Sequence, residues 1–79
     1  MAYYVRITKT EDGERSAKYQ FTSDGTNVGR LVIDKETGAI EILESIPGDV
    51  SGALAARASA KLRKAWKAGK FPDLTEWAS

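Results

Sequence analysis

The chain has 79 residues, of which 42% are hydrophobic and 29% charged, and its formal net charge is +1 at pH 7. A domain of this size buries only about 60% of the surface that its unfolded chain exposes, so a deep substrate cavity is not expected. The chain contains no cysteine and no histidine, which excludes disulfides, thiol nucleophiles, the commonest metal ligand and the usual general base. We therefore expect no metal, no cofactor and no enzymatic activity.

Alternating apolar and polar residues in the first part of the chain predict antiparallel strands. In YYVRIT, the apolar Tyr3, Val5 and Ile7 alternate with more polar residues, which is the period of a half-buried strand. The dipeptide Asp12-Gly13 predicts a hairpin turn, and the following AKYQFT resumes the alternation. The acidic residues around this turn are expected to be solvated and to lack a catalytic role.

The segment GRLVIDKETGAIEILE predicts a second hairpin. Gly38 supplies the positive φ that ends a type I turn with a bulge. We expect Ile33 to face Ile40 across this hairpin. Leu31 should then face Ile42 on the same side of the sheet, and this agreement fixes the register.

A helix is predicted from about residue 50 to about residue 68. Asp49 is the expected N-cap and Gly69 the expected stop, and the 13 residues from Ala53 to Ala65 include six alanines. Its apolar stripe should pack on the sheet, and there Trp66 is expected to serve as a core residue rather than a base-stacking platform. The stripe consists of Leu54, Ala55, Ala58, Leu62, Ala65 and Trp66.

The last segment, residues 70–79, is a short aromatic tail. Pro72 prevents the helix from continuing. The apolar Phe71, Leu74 and Trp77 recur at a spacing of three, which is compatible with a short turn-like helix or with a tail pinned by its aromatic side chains.

Together these elements predict a single α+β domain covering residues 1–79. A four-stranded antiparallel β-meander within residues 2–45 is followed by one C-terminal α-helix packed on one sheet face (ββββα), with the aromatic tail last. The sheet residues expected in the core are Tyr3, Val5, Ile7, Tyr19, Phe21, Leu31, Ile33, Ile40 and Ile42.

The opposite face of the sheet is the first candidate binding surface. It should present Tyr4, Arg6, Val32 and Leu43, together with Lys18 and Arg30. This mixture of aromatic, cationic and apolar groups suits either a protein partner or single-stranded nucleic acid. Two alternatives remain at this stage: a plainly solvated face, which antiparallel sheets often have, or a face covered by the aromatic tail.

The outer side of the helix is the second candidate. Residues 50–70 contain six cations and no acid, although the chain as a whole is nearly neutral. Such a surface could contact the phosphates of nucleic acid, or it could simply complement the helix dipole and face water. The candidate contacts are Arg57, Lys61, Arg63, Lys64 and Lys67.

Two short resemblances accompany these predictions. The hairpin GRLVIDKETGAIEIL resembles the pattern of PepSY-type domains, but those place their helix before the strands. The order of three strands and a helix is similar to that of the sheet-reading DNA-binding domains of plant ethylene-response factors and some phage integrase arms, whose sheet enters the major groove. In this chain only Arg6, Lys18 and Arg30 would be placed on the outer sheet face to contact DNA, and the acidic Glu41 lies on the same face.

On this basis, the sequence favours a small non-enzymatic module that binds another protein, or a second copy of itself, through the open sheet face. Nucleic-acid binding through the helix is the alternative. The N-terminal MAYYVRITKT lacks the apolar run of a signal peptide, and no stretch approaches the roughly 18 apolar residues of a membrane span. We therefore expect a cytoplasmic protein without a membrane partner.

Overall fold

The computed structural model describes residues 4–78, which form one five-stranded sheet and one helix. The elements are β1 (Tyr4–Asp12), β2 (Ser16–Thr22), β3 (Val28–Asp34), β4 (Ile40–Glu44), α1 (Ala53–Lys67) and β5 (Leu74–Ala78). The strands lie in the order β4-β3-β2-β1-β5, and every neighbouring pair is antiparallel. The α+β class and the antiparallel sheet are confirmed. The number of strands is corrected from four to five, because the tail forms β5.

The second hairpin has the predicted register. Leu31 lies opposite Ile42 and Ile33 lies opposite Ile40. Gly38 has a φ of 76°, as the bulged turn requires. Local turn chemistry and the apolar alternation agree here, so the sequence alone specified the pairing.

Helix α1 starts later than predicted, at Ala53, because Gly52 has a left-handed φ of 72° that a helix cannot include. Asp49 is therefore not the N-cap residue. Its carboxylate nevertheless accepts hydrogen bonds from the backbone N–H groups of Leu54 (3.1 Å) and Ala55 (3.4 Å). These are the free donors that an N-cap side chain would satisfy. Asp49 thus performs the capping function although it lies three residues before the N-cap residue, Gly52.

The C-terminal end of α1 is as predicted. Gly69 has a φ of 75° and donates its backbone N–H to Trp66 O, while Lys70 donates to Ala65 O. This pair of bonds is the Schellman motif, which needs a residue without a Cβ at the left-handed position.

The core lies between the sheet and α1. Its buried residues are Val5, Ile7, Ala17, Tyr19, Phe21, Leu31, Ile33, Ile46, Ala55, Ala58 and Leu62. The expected core changes at the β4 edge. Ile40 is only partly buried, and Ile42 is 37% exposed because β4 is an edge strand away from α1. Ile46, which was not expected, is buried. The predicted core residue Tyr3 lies outside the described residues.

The tail forms strand β5 rather than the short turn-like helix that was one of the two expectations, and its aromatic Phe71 and Trp77 pack against the core, in line with the other. Strand β5 pairs with β1, so that Trp77 lies opposite Val5 and Leu74 opposite Thr8. In a strand, a spacing of three places side chains on opposite faces. Trp77 therefore packs against the core, whereas Leu74 is 60% exposed on the other side. Within residues 4–78, no helix is both long enough and apolar enough to span a membrane.

Polar contacts fix the segment that leads from α1 into β5. The hydroxyl of Tyr19 donates to Pro72 O at 2.8 Å. The ammonium of Lys9, whose side chain is only 13% exposed, donates to Phe71 O at 3.1 Å and lies 3.1 Å from the carboxylate of Asp73. These contacts hold β5 in register with β1.

Candidate functional site

The open face of the sheet carries a hydrogen-bonded chain at its β1–β5 end. Arg6 Nε donates to the Tyr4 hydroxyl at 3.4 Å, and that hydroxyl donates to Glu76 Oε2 at 2.6 Å. The bond to Tyr4 holds the pKa of Arg6 above its ordinary value. The structure thus brings two of the predicted partner-binding residues, Tyr4 and Arg6, into direct contact.

The other two predicted residues lie elsewhere on the same face. Val32 is on β3 and Leu43 on β4, which are two and three strands away from β1. At about 4.8 Å per strand, that separation is roughly 10 to 14 Å. A bulge at Leu43 lets Glu44 pair with Arg30, and the side chain of Leu43 is left 44% exposed. The four residues therefore do not form a single cluster.

Charges on the open face are largely neutralised by neighbours. Arg30 lies 2.9 Å from the carboxylate of Glu44, and Lys18 lies 3.4 Å from that of Glu11. The tail does not cover this face: β5 instead widens it at the edge. The open face is therefore exposed, nearly neutral and partly apolar, and it has little attraction for a polyanion.

The outer side of α1 has the opposite character. Arg63, Lys64 and Lys67 are exposed and Lys61 is half-buried, and none of the four makes an ion pair within residues 4–78. Arg57 differs, because it donates to Ala53 O at 3.0 Å. We call these five residues the basic surface. It faces away from the open sheet face, since α1 packs on the other side of the sheet.

Most cations on the strands, unlike those on the helix, form ion pairs with acidic side chains. Apart from Arg6, described above, the pairs join Lys9 to Asp12 and Asp73, Lys18 to Glu11, Arg30 to Glu44, and Lys35, just after β3, to Asp12. The helix has no acidic residue, and Lys61, Arg63, Lys64 and Lys67 make no ion pair within residues 4–78. The uncompensated positive charge of the described chain is thus concentrated on α1.

Trp66 is a structural residue, as expected. Its indole N–H donates to Lys35 O at 2.8 Å, and its ring packs against the core. Trp66 is therefore held by the protein itself and is not a free stacking surface for a base.

Carboxylates in the turns have structural partners. Asp34 accepts backbone N–H bonds from Thr37 and Glu36, and these bonds lower the pKa of its carboxyl group. Asp24 makes the same kind of contact in the next turn towards the N-terminus, with the same effect on its pKa. In the part of the chain that the structure describes, no group of three acidic side chains could hold a metal ion.

The structure adds residues that the sequence reasoning missed. Lys70 lies exposed just past α1, while Leu74 and Glu76 extend the open face. No local pattern in LTEWA indicated β5, because its apolar residues Leu74 and Trp77 do not alternate with polar ones and fall on opposite faces of the sheet. Comparisons with protein-family models, with curated proteins and with solved structures found no match to this chain.

Proposed function

We propose that this protein is a non-enzymatic, cytoplasmic binding protein that holds nucleic acid by its phosphate groups on the basic surface of α1. The observation that carries this proposal is the contrast in pairing: Lys61, Arg63, Lys64 and Lys67 make no ion pair within residues 4–78, whereas the strand cations other than Arg6 do. Cations that are already neutralised attract a polyanion weakly, and unpaired ones attract it strongly.

The spacing of these cations suits a row of phosphates. Lys61 and Lys64 are three residues apart, and Arg63 and Lys67 are four apart, so each pair lies side by side on the helix surface. From Arg57 to Lys67 the helix rises about 15 Å. Over that length a nucleic-acid backbone presents several negative charges, and their counterions would be released on binding.

The composition of the surface favours phosphate contacts over base recognition. Trp66 already donates its N–H inside the protein, and the exposed helix residues between the cations are mainly alanine and serine. We therefore expect the affinity to be independent of the base sequence of the nucleic acid. The apolar stripe of α1 packs on the sheet, so the helix has no apolar side left to insert into a lipid surface.

Fluorescence anisotropy of labelled duplex and single-stranded DNA, over a range of salt concentrations, tests this proposal. Four phosphate contacts predict a slope of log K against log salt of about −3.6 for duplex and about −2.8 for a single strand. Arg63→Glu should weaken binding and make the slope shallower by about 1. Arg15→Glu, which makes the same charge change in the exposed β1–β2 turn, is the matched control. Equal loss in both variants would show that only net charge matters and would refute the assigned surface.

A protein partner at the open sheet face is the second candidate function. It is favoured by the exposure of Tyr4 (38%) and Leu43 (44%) on a face whose charges are neutralised, because such a surface binds in a salt-tolerant way. The candidate contacts are those predicted from the sequence, Tyr4, Arg6, Val32 and Leu43. A second copy of the chain is the partner that can be tested directly, by sedimentation across a range of concentrations. Dimers that the combined change Tyr4→Ala and Arg6→Glu abolishes would support it, and a monomer at all concentrations would contradict self-association.

A further inference from the structure

The two edges of the sheet differ in how they are protected. Strand β4 has a bulge at Leu43 and carries Glu41 and Glu44, two features that discourage pairing with another strand. Strand β5 has neither feature: its register with β1 is regular along its length, and its one acidic residue, Glu76, accepts the hydrogen bond of Tyr4. The β5 edge is therefore the one that can accept a further strand.

The hydrogen bonds between β5 and β1 determine which backbone N–H and C=O groups of β5 remain free to pair with a further strand. Lys9 donates its backbone N–H to Asp73 O at 2.8 Å. Since bonded and non-bonded residue pairs alternate along an antiparallel ladder, Leu74 and Glu76 are non-bonded with respect to β1. Their backbone N–H and C=O groups point outward, and within residues 4–78 no strand lies on that side.

A groove with a positive wall runs beside this edge. It is lined by Ala60, Lys61, Lys64, Glu76 and Trp77 and has a volume of about 400 Å³. Lys61 and Lys64, which belong to α1, have no ion pair in the described chain, so they are available to an acidic ligand. The exposed side chain of Leu74 lies on the opposite face of the same strand.

We propose that β5 is the docking edge for an extended acidic segment of a partner protein, which adds a sixth strand to the sheet. Alternate side chains of such a strand point to opposite faces, so its acidic residues would meet Lys61 and Lys64 while apolar residues lie beside Leu74. A second copy of β5 would bring a second set of these lysines to the same seam, where like charges repel. Charge complementarity thus selects an acidic occupant.

Titration of the ¹⁵N-labelled full chain with a peptide of alternating glutamate and valine tests the proposal, with the affinity measured by calorimetry. The amide signals of Leu74 and Glu76 should shift, together with those of Lys61 and Lys64. Glu76→Pro removes an outward N–H but no bond to β1, so it should weaken binding about tenfold. Glu76→Thr loses the same carboxylate and keeps the N–H, and it should bind like the original protein.

A second pair of variants keeps the test decisive if Glu76→Pro does not fold. Lys61→Gln together with Lys64→Gln should weaken binding of the peptide, whereas Arg63→Glu, which lies outside the groove lining, should not. The proposal is overturned if the peptide does not bind, if a lysine–valine peptide binds equally well, or if folded Glu76→Pro and Glu76→Thr bind alike. Because Arg63→Glu is expected to impair DNA binding alone, the outcome is independent of the nucleic-acid proposal.

Discussion

The indole ring of Trp66 lies directly against Gly38, with no room for a side chain between them. A Cβ on Gly38 would lie 2.7 Å from the Trp66 ring atoms Cδ2 and Cε3. The same tryptophan donates its N–H to Lys35 O in the same turn as Gly38. These contacts anchor the C-terminal part of α1, and hence the basic surface, to the β3–β4 hairpin.

We expect Gly38→Ala to lower the free energy of unfolding by about 2 to 4 kcal/mol, since it combines a strained positive φ with a clash against Trp66. Gly25→Ala is the matched control, because Gly25 has a similar φ of 82° but a Cβ there would meet nothing within 4 Å. It should cost only the strain, about 1 to 2 kcal/mol. Urea denaturation of both variants measures the difference, and equal losses would contradict the packing argument.

Gly29→Ala should also destabilise the protein, and here for steric reasons alone. Gly29 pairs with Phe21, and an added Cβ would lie 2.4 Å from Phe21 Cζ. The expected loss is about 1 to 3 kcal/mol. In a double-mutant cycle, Phe21→Leu should cost less in the Gly29→Ala background than alone, because the smaller side chain makes room. Strictly additive losses would show that the two side chains do not compete for the same space.

Stability should fall on acidification. The bonds from Lys35, and then from Lys9, hold the pKa of Asp12 below its ordinary value, and backbone N–H groups do the same for Asp34. A depressed pKa in the folded state means that the unfolded chain binds protons first, so this stability is present above the ordinary carboxyl pKa of about 3.9 and is lost below it. Denaturation curves between pH 7 and pH 2 should show the decline.

The contribution of Asp34 to this pH dependence can be isolated with Asp34→Asn. This variant keeps a side-chain oxygen that accepts the N–H bonds of the turn, but it has no carboxyl group to titrate. It should be less stable than the original chain at pH 7 and should lose less stability on acidification. An unchanged dependence on pH would exclude Asp34 as a contributor.

Removal of the Asp49 carboxylate should weaken the start of α1. Asp49→Ala leaves the N–H groups of Leu54 and Ala55 without their acceptor and should cost about 1 kcal/mol. Asp49→Asn retains an acceptor oxygen and should recover most of that loss. Thermal unfolding compares the two, and similar melting temperatures for both variants would contradict a capping role.

Local chemistry was sufficient for much of the fold. The alternation of apolar residues identified β1 to β4, and the turn glycine Gly38 fixed the pairing of Leu31 with Ile42. Gly69 ended the helix where expected, and the composition of residues 53–65 placed its centre. Each of these features depends on residues close together in the chain. The two candidate surfaces were likewise recognisable, because strand and helix periodicity decides which side chains share a face.

Which of those groups have partners depends on contacts between segments that are far apart in the chain. Residues 74–78 are too few to form a strand alone, and they become β5 because β1 offers an unpaired edge. Lys35 and Asp12 are 23 residues apart, so their contact is invisible in the local pattern. Ile42 appears apolar and inward-facing in the sequence, yet α1 leaves it partly exposed. Periodicity assigns a side chain to a face, but the neighbours that neutralise or bury it are brought there only by packing distant segments together.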